Sequence, residues 1–253
     1  MKLSIVLCTS NRINYLRTAI KNLISQTLKD WELIVVEGDS YDGTHEMLIE
    51  MYCQGAIKHV VNRGNIVDAR NLGYKYAEGE YIVFVDDDDT MVDSRFEIQT
   101  KILDENPHID VVSCSTVLNK ENGIIDTFAE HSNKTIKPLI EKQNAPLDFI
   151  CFPKSCVFRK STLDKIFTDG ELCKQEFVDG CEMSGMIWRL YTKGAKFSNT
   201  SKTIFVYNYQ MCKDSQSSTK VPTFYNENFM NKTYEEIKKV ISKVYRKKKL
   251  TTK

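Results

Sequence analysis

Over the first third of the chain the apolar positions fall into two alternating patterns. Leu3 to Cys8, Glu32 to Val36, Ile57 to Val61 and Tyr81 to Val85 are short runs rich in Val, Ile and Leu, which predicts buried β-strands. Between the first two, Ile13, Leu16, Ile20, Leu23 and Ile24 recur at helical spacing. Thr44 to Tyr52 reads as a second helix, with Asp42 a candidate N-cap. A third, around Asp68 to Ala77, ends at Gly79. Strand and helix alternating in this way predict an α/β fold, a parallel sheet covered on both faces. Ligands bind such sheets at the carboxyl ends of the strands. The segments there are Thr9-Ser10-Asn11-Arg12, Glu37-Gly38-Asp39-Ser40, Asn62-Arg63-Gly64 and Asp86 to Asp89, and all four are polar.

Beyond this point the pattern is less regular. A helix from about Ser94 to Asn106 stops before Pro107, and Val111 to Leu118 reads as a strand. From Asn119 to Ala145 polar residues dominate without a period, which suggests a long surface loop. Phe149 to Arg159 regains strand character, Ser161 to Phe167 reads as a short helix, Cys181 to Thr192 as a longer one, and Lys196 to Tyr209 as strand. No repeat or linker interrupts the chain, so a single domain is expected.

With 253 residues, 42% hydrophobic and 27% charged, the chain has an ordinary globular composition. A net charge of +1 gives no overall bias towards nucleic acid. No apolar stretch approaches the roughly 18 residues of a membrane span. The eight cysteines form no CxxC pair and the four histidines are scattered, which argues against a structural zinc site and fits a reducing, cytoplasmic compartment. The last twenty residues are different: eight of them are basic and no acid follows Glu236. Ile237, Val240, Ile241, Val244 and Tyr245 share one helical face. Such a helix over 234–253 could lie at the inner face of an anionic membrane, or dock its apolar face on the domain with its lysines in water.

The strongest single feature is Asp86-Asp87-Asp88-Asp89, which follows directly on Tyr81 to Val85. Like charges this close raise one another's pKa unless paired, and a hard divalent cation, commonly shared with substrate phosphates, relieves them. A solvated acidic turn is the plain alternative. The position at the end of a buried strand favours the metal.

Taken in order, several stretches resemble glycosyltransferase family 2. They are Ser4-Ile5-Val6-Leu7-Cys8-Thr9-Ser10-Asn11-Arg12, Gln26-Thr27 before Trp31 to Val36, Ser40-Tyr41-Asp42-Gly43-Thr44, Asn62-Arg63-Gly64, Ala69-Arg70-Asn71, Gly79-Glu80-Tyr81-Ile82 and Phe84-Val85 with the aspartates. The resemblance is strong over about residues 3–95 and weaker to about 215. It implies the GT-A fold, with a Rossmann-like, mostly parallel sheet flanked by helices. Residues 1–215 would form the domain, 1–95 its nucleotide-sugar half and 96–215 an irregular acceptor half, with 216–253 a basic extension.

The resemblance further implies an inverting, hexosyltransferase-type enzyme of surface polysaccharide synthesis. It would move a sugar from a nucleotide diphosphate sugar, a UDP-sugar by presumption, to a hydroxyl of a glycan or lipid-linked acceptor. Mg²⁺ or Mn²⁺ would be the cofactor. Donor-binding positions are Thr9, Arg12, Glu37, Asp39, Arg70, Asp86 and Asp87; Asp88 is the metal ligand, and Asp89 caps or orients the loop. Arg70 could instead pair on the surface with Asp68 or Glu78.

Two departures from the family pattern stand out. Gly38 occupies a place where many members carry an acid. Counting back from Ile187-Trp188-Arg189-Leu190, Glu182 takes the family's glutamate and Met183 its catalytic aspartate. Methionine accepts no proton, so Glu182 or Asp179 becomes the candidate base, although Glu182 could simply cap its helix. A non-catalytic nucleotide-sugar-binding module therefore stays open. A sugar nucleotidyltransferase does too, although no Gly-rich triphosphate loop follows the first strand.

Overall fold

The computed structural model describes residues 1–120, 123–127, 153–174 and 182–208, and these lie in one compact unit spanning 1–208. The predicted alternation is present as β1 (Leu3–Thr9), α1 (Ile13–Ile24), β2 (Trp31–Glu37), α2 (Thr44–Cys53), β3 (Lys58–Val61), α3 (Ile66–Lys75) and β4 (Tyr81–Asp86). There follow β5 (Thr90–Met91), α4 (Arg95–Glu105), β6 (Val111–Lys120), β7 (Gly123–Thr127), β8 (Val157–Arg159), α5 (Lys160–Asp164), α6 (Glu182–Thr192) and β9 (Phe197–Asn208). They build one sheet in the order β3-β2-β1-β4-β8-β6-β9-β5, with β7 on β6. The first four strands are parallel. Beyond β4 the sheet is mixed, since β8 runs antiparallel to both neighbours while β6 and β9 are parallel. This is the GT-A arrangement, a Rossmann-like sheet flanked by helices.

Alternation along the strands sends successive side chains to opposite faces. Leu3, Ile5 and Leu7, with Leu33, Val35, Val83 and Val85, pack under Leu16, Ile20 and Leu23 of α1, Leu48 of α2 and Phe96 of α4. Val6, Ile34, Val36, Ile82 and Phe84 pack on the other face against Val67 and Tyr74 of α3, Leu163 of α5, and Met186 and Ile187 of α6. Each such side chain, once fully buried, contributes roughly 1.5–3 kcal/mol.

The helix ends differ in detail from the sequence reading. Asn65 caps α3 through the amides of Val67 and Asp68, and the Asp68 carboxylate returns a bond to the Asn65 amide, so the helix begins two residues early. Asp42 does not cap α2, whose N-cap is Gly43 at φ 92°. Its carboxylate accepts from the amides of Ile13 and Thr44 instead, tying two loops together. Two short strands were absent from the expected pattern. β7 lies inside the stretch read as loop, and β5 has two residues; both are too short to show a period. The predicted strand over 149–159 contracts to β8, after a 3₁₀ turn at Pro153–Ser155, with 149–152 outside the described residues.

Gly79 sits where the chain enters β4, and its amide donates to Ser4 Oγ at 2.7 Å. Ser4 Oγ in turn donates to the Glu32 carboxylate at 2.6 Å. A Cβ on Gly79 would lie 2.6 Å from the Ser4 nitrogen and 2.8 Å from the Leu3 carbonyl carbon. Backbone cannot yield as a side-chain tip does, so Gly79→Ala is expected to lower stability by about 1–3 kcal/mol. Urea denaturation reads this as a lower midpoint; an unchanged midpoint would mean that β1 and β4 separate freely here.

Candidate functional site

The carboxyl ends of β1, β2 and β4 lie side by side, with Cα register Thr9 to Glu37 and Cys8 to Asp86. The aspartate run leaves β4 as a tight turn, in which the Asp89 amide donates to the Asp86 carbonyl at 3.2 Å. Asp89 closes the turn by accepting from the Asp86 amide at 2.8 Å. It is not a solvated acidic turn, since Asp87, Asp88 and Asp89 are all buried.

Each carboxylate has its own surroundings. Asp86 accepts from Arg70 at 3.1 Å and is ion-paired with Lys154. Burial alone would raise its pKa, but Lys154 and Arg70 prevail and hold it well below the usual carboxylate range. Asp87 accepts from Thr9 Oγ1 at 2.7 Å and faces the Arg12 guanidinium at 3.1 Å. There burial wins, with Asp88 and Asp86 adding repulsion against the pull of Arg12, and the carboxyl is pushed up to about 7. Asp88 takes the other arm of Arg12 at 2.9 Å. Asp89 is pushed well above its ordinary value by burial, and its Oδ1 is buried with no hydrogen-bond partner among the described residues.

Among the described residues these four buried or half-buried carboxylates meet Arg12, Arg70 and Lys154. Burial, with repulsion from the neighbouring carboxylates added, leaves Asp87 and Asp89 raised. Such a set of hard oxygen donors fits a divalent cation.

Arg70 is buried on α3 and reaches across to Asp86, so it does not pair on the surface with Asp68 or Glu78. Arg12 N-caps α1 and stacks 4.4 Å over the Tyr15 ring. Lys154 escaped the sequence reading because it stands far along the chain from its partner. It is aimed by α4, where Arg95 donates to the Lys154 carbonyl and Gln99 to the Ser155 carbonyl at 2.8 Å.

Glu37 is fully buried, and both of its oxygens are taken. Oε1 accepts from the Ser40 amide at 3.0 Å, while Oε2 meets His45 Nδ1 and His59 Nε2, each at 2.8 Å. Burial opposes its ionisation, but the His45, Ser40 and His59 bonds outweigh it and hold the carboxyl below its usual range. The ligand atoms of Glu37, His45 and His59 lie within 4.8 Å of one another, so the three could hold a divalent ion. Sequence spacing gave no hint of this trio. The signal is the register: His59 stands beside Val35, which shares a strand face with Glu37.

Asp39, at φ 55°, keeps its carboxylate 64% exposed, facing an exposed Arg63 at 3.5 Å. The loops after β1 and β2 are laced by Ser10 Oγ to the Gly38 carbonyl, Asn11 amide to Ser40 Oγ, and Tyr41 amide to Asn11 Oδ1. A Cβ on Gly38 would approach Ser10 Cβ to 2.9 Å, which gives the missing acid there a steric reason.

On the sheet face that α3 covers, Met183 is 4% exposed and packs in the core with Met186 and Ile187. The position expected of a proton acceptor is thus an apolar anchor. Glu182 opens α6, and Asp179 lies outside the described residues. Arg189 donates to the Leu172 carbonyl and, at 3.4 Å, to that of Ile166, holding the segment before α6.

Comparison with known proteins gives one consistent result. The family described as "Glycosyl transferase family 2" matches residues 4–167. An uncharacterized glycosyltransferase of Rickettsia conorii is 38% identical over 110 residues, 43% of this chain and 18% of that protein. The UDP-Glc:alpha-D-GlcNAc-diphosphoundecaprenol beta-1,3-glucosyltransferase WfgD of Escherichia coli is 28% identical over 140 residues, 54% of each. The chain therefore spans less than two thirds of the length of either relative. Among solved structures, S. aureus TarS 1-349 in complex with UDP-GlcNAc superposes with a TM-score of 0.66 at 19% identity, covering 89% of this chain and 62% of that one.

Proposed function

Because this chain belongs to glycosyl transferase family 2, we propose that it transfers a sugar from a nucleotide diphosphate sugar to a hydroxyl of a glycan or lipid-linked acceptor. The observation that carries this reading is the carboxylate turn at the end of β4, bound by Thr9 and Arg12 of the β1 end and Arg70 of α3. A UDP-sugar is the donor we favour, supported by the UDP-sugars named for the TarS complex and the E. coli relative. Surface polysaccharide synthesis at the cytoplasmic face is the setting we propose, with residues 234–253, outside the described residues, as a peripheral membrane contact.

In this reading Asp88, supported by Asp87, holds Mg²⁺ or Mn²⁺, whose chemistry is to neutralise charge on the departing diphosphate. The remaining work falls to side chains of the chain itself. Arg70 and Lys154 keep Asp86 ionised, ready to accept from a ribose hydroxyl. Thr9 orients Asp87 through its 2.7 Å bond. Arg12, a planar fork set between Asp87 and Asp88, is placed to meet phosphate oxygens. Glu37, held by the Ser40 amide and the two histidines, lines the β2 end of the donor site, and the exposed Asp39 makes the outward contact with base or ribose. Glu182 or Asp179 receives the acceptor proton.

Met183 in the core favours one second reading, a nucleotide-sugar-binding module without transfer. Calorimetry with a panel of nucleotide sugars and Mg²⁺ or Mn²⁺, followed by assay of nucleoside diphosphate release with and without acceptors, separates the two. Binding with release supports the enzyme, and binding without release the module. If no nucleotide sugar binds, both fail; pyrophosphate release from a nucleoside triphosphate would point to a nucleotidyltransferase.

A further inference from the structure

We propose that Glu37, His45 and His59 form a second metal site, separate from the aspartate turn, for a zinc-type transition-metal ion. The three side chains come from three elements, the end of β2, the first turn of α2, and β3. His45 Nδ1 and His59 Nε2 converge on one carboxylate oxygen at 2.8 Å each. Two imidazoles aimed at a single oxygen must each direct an N–H at it, or all three can direct lone pairs at a shared cation. Two imidazole nitrogens and a carboxylate oxygen are a donor set for zinc and its neighbours. Mg²⁺ prefers oxygen ligands alone.

The geometry needs little adjustment. Ligands about 2.0–2.2 Å from a tetrahedral ion lie roughly 3.3–3.5 Å apart, so the ring nitrogens would retreat from Oε2 by about half an ångström and draw towards each other from a separation within 4.8 Å. His45 can do so, since its side chain is 43% exposed, and it gives the ion a way in from solvent. Glu37 and His59, with side chains 0% and 4% exposed, form the buried side of the site. The Ser40 amide on Oε1 orients the carboxylate from behind, as partners of metal-bound carboxylates do. Three protein ligands leave a fourth position for water.

The site would also act on its surroundings. It ties β3 and the start of α2 to the β2 end, fixing the loop from Gly38 to Gly43. That loop is laced to the β1 loop, whose Thr9 reaches Asp87. Under the transfer reading above, this makes the ion a positioning element for the donor wall; metal binding itself does not depend on that reading.

The test uses the full chain, stripped with a chelator and kept in excess Mg²⁺ so that hard-oxygen sites are filled. Titration with Co²⁺ should give one equivalent bound, with the visible absorption of a four-coordinate nitrogen–oxygen site, and Zn²⁺ should displace it. His45→Ala, a half-exposed change that spares the core, should weaken Co²⁺ binding by at least about 10–100-fold, and His59→Ala should do the same. Asp88→Ala should leave it unchanged, so failure of the transfer reading is separable from failure of this one. No Co²⁺ or Zn²⁺ uptake by the folded protein would overturn the proposal. Uptake that is indifferent to His45→Ala would overturn it equally, placing the ion elsewhere.

Discussion

Asp88→Ala is expected to lower sugar transfer by about 10²-fold or more while the chain stays folded. The estimate follows from what removing one group that stabilises developing charge costs in other enzymes, about 10²–10³ in rate. Asp88 is buried and its carboxylate is held by Arg12 at 2.9 Å, so the substitution removes one hard oxygen donor and frees one arm of the guanidinium. The other arm still faces Asp87 at 3.1 Å, and one carboxylate fewer removes the repulsion that adds to burial in pushing Asp87 up. Structure should therefore survive where chemistry does not. The measurement is nucleoside diphosphate release with the donor identified by calorimetry, alongside circular dichroism. Transfer at the wild-type rate would sink the assignment of Asp88 to the cation.

Arg12→Met tests the same charge balance from the other side. Removing one partner of a buried ion pair leaves uncompensated charge and typically costs about 3–5 kcal/mol. Here the loss falls on two acids at once, although Asp87 can take up a proton, so about 3 kcal/mol is expected in metal-free buffer. Added Mg²⁺ should restore much of it, since an ion that binds only the folded chain stabilises by mass action. Denaturation midpoints with and without Mg²⁺ read the effect directly. An equal deficit in both buffers would mean that Arg12 matters through its stacking on Tyr15, not through its charge.

The parts of the fold that could be read in the sequence are those whose cause is local. β1, β2 and β4 are buried on both faces, so their apolar runs are unbroken, and α1 shows its period because one side of it meets the sheet. β5 and β7 exist through their partners β9 and β6, and two or five residues carry no pattern of their own. The candidate site divides in the same way. Thr9, Arg12 and the aspartates announce themselves because each stands at or close to the carboxyl end of a strand. Lys154 reaches Asp86, and His45 and His59 meet on Glu37, only through strand register and helix packing. The histidines, scattered in sequence, reach one carboxylate only because β3 lies beside β2. Gly38, read as a lost acid, turned out to sit where Ser10 leaves no room for a side chain.

The Lys154 ion pair bears on how the protein can be divided. A fragment ending near residue 95 holds the β1, β2 and β4 ends but lacks Lys154. Its Asp86 would keep Arg70 and lose the second cation. The same cut strips β8 from β4 and exposes an unpaired strand edge prone to sticking to other chains. Residues 1–95 are thus not an autonomous module that could be lifted onto another chain. A chimera would have to carry α4, the Pro153–Ser155 turn and β8 along with it, and a chain emerging from the ribosome would complete the counter-charge of Asp86 only after Lys154 is made.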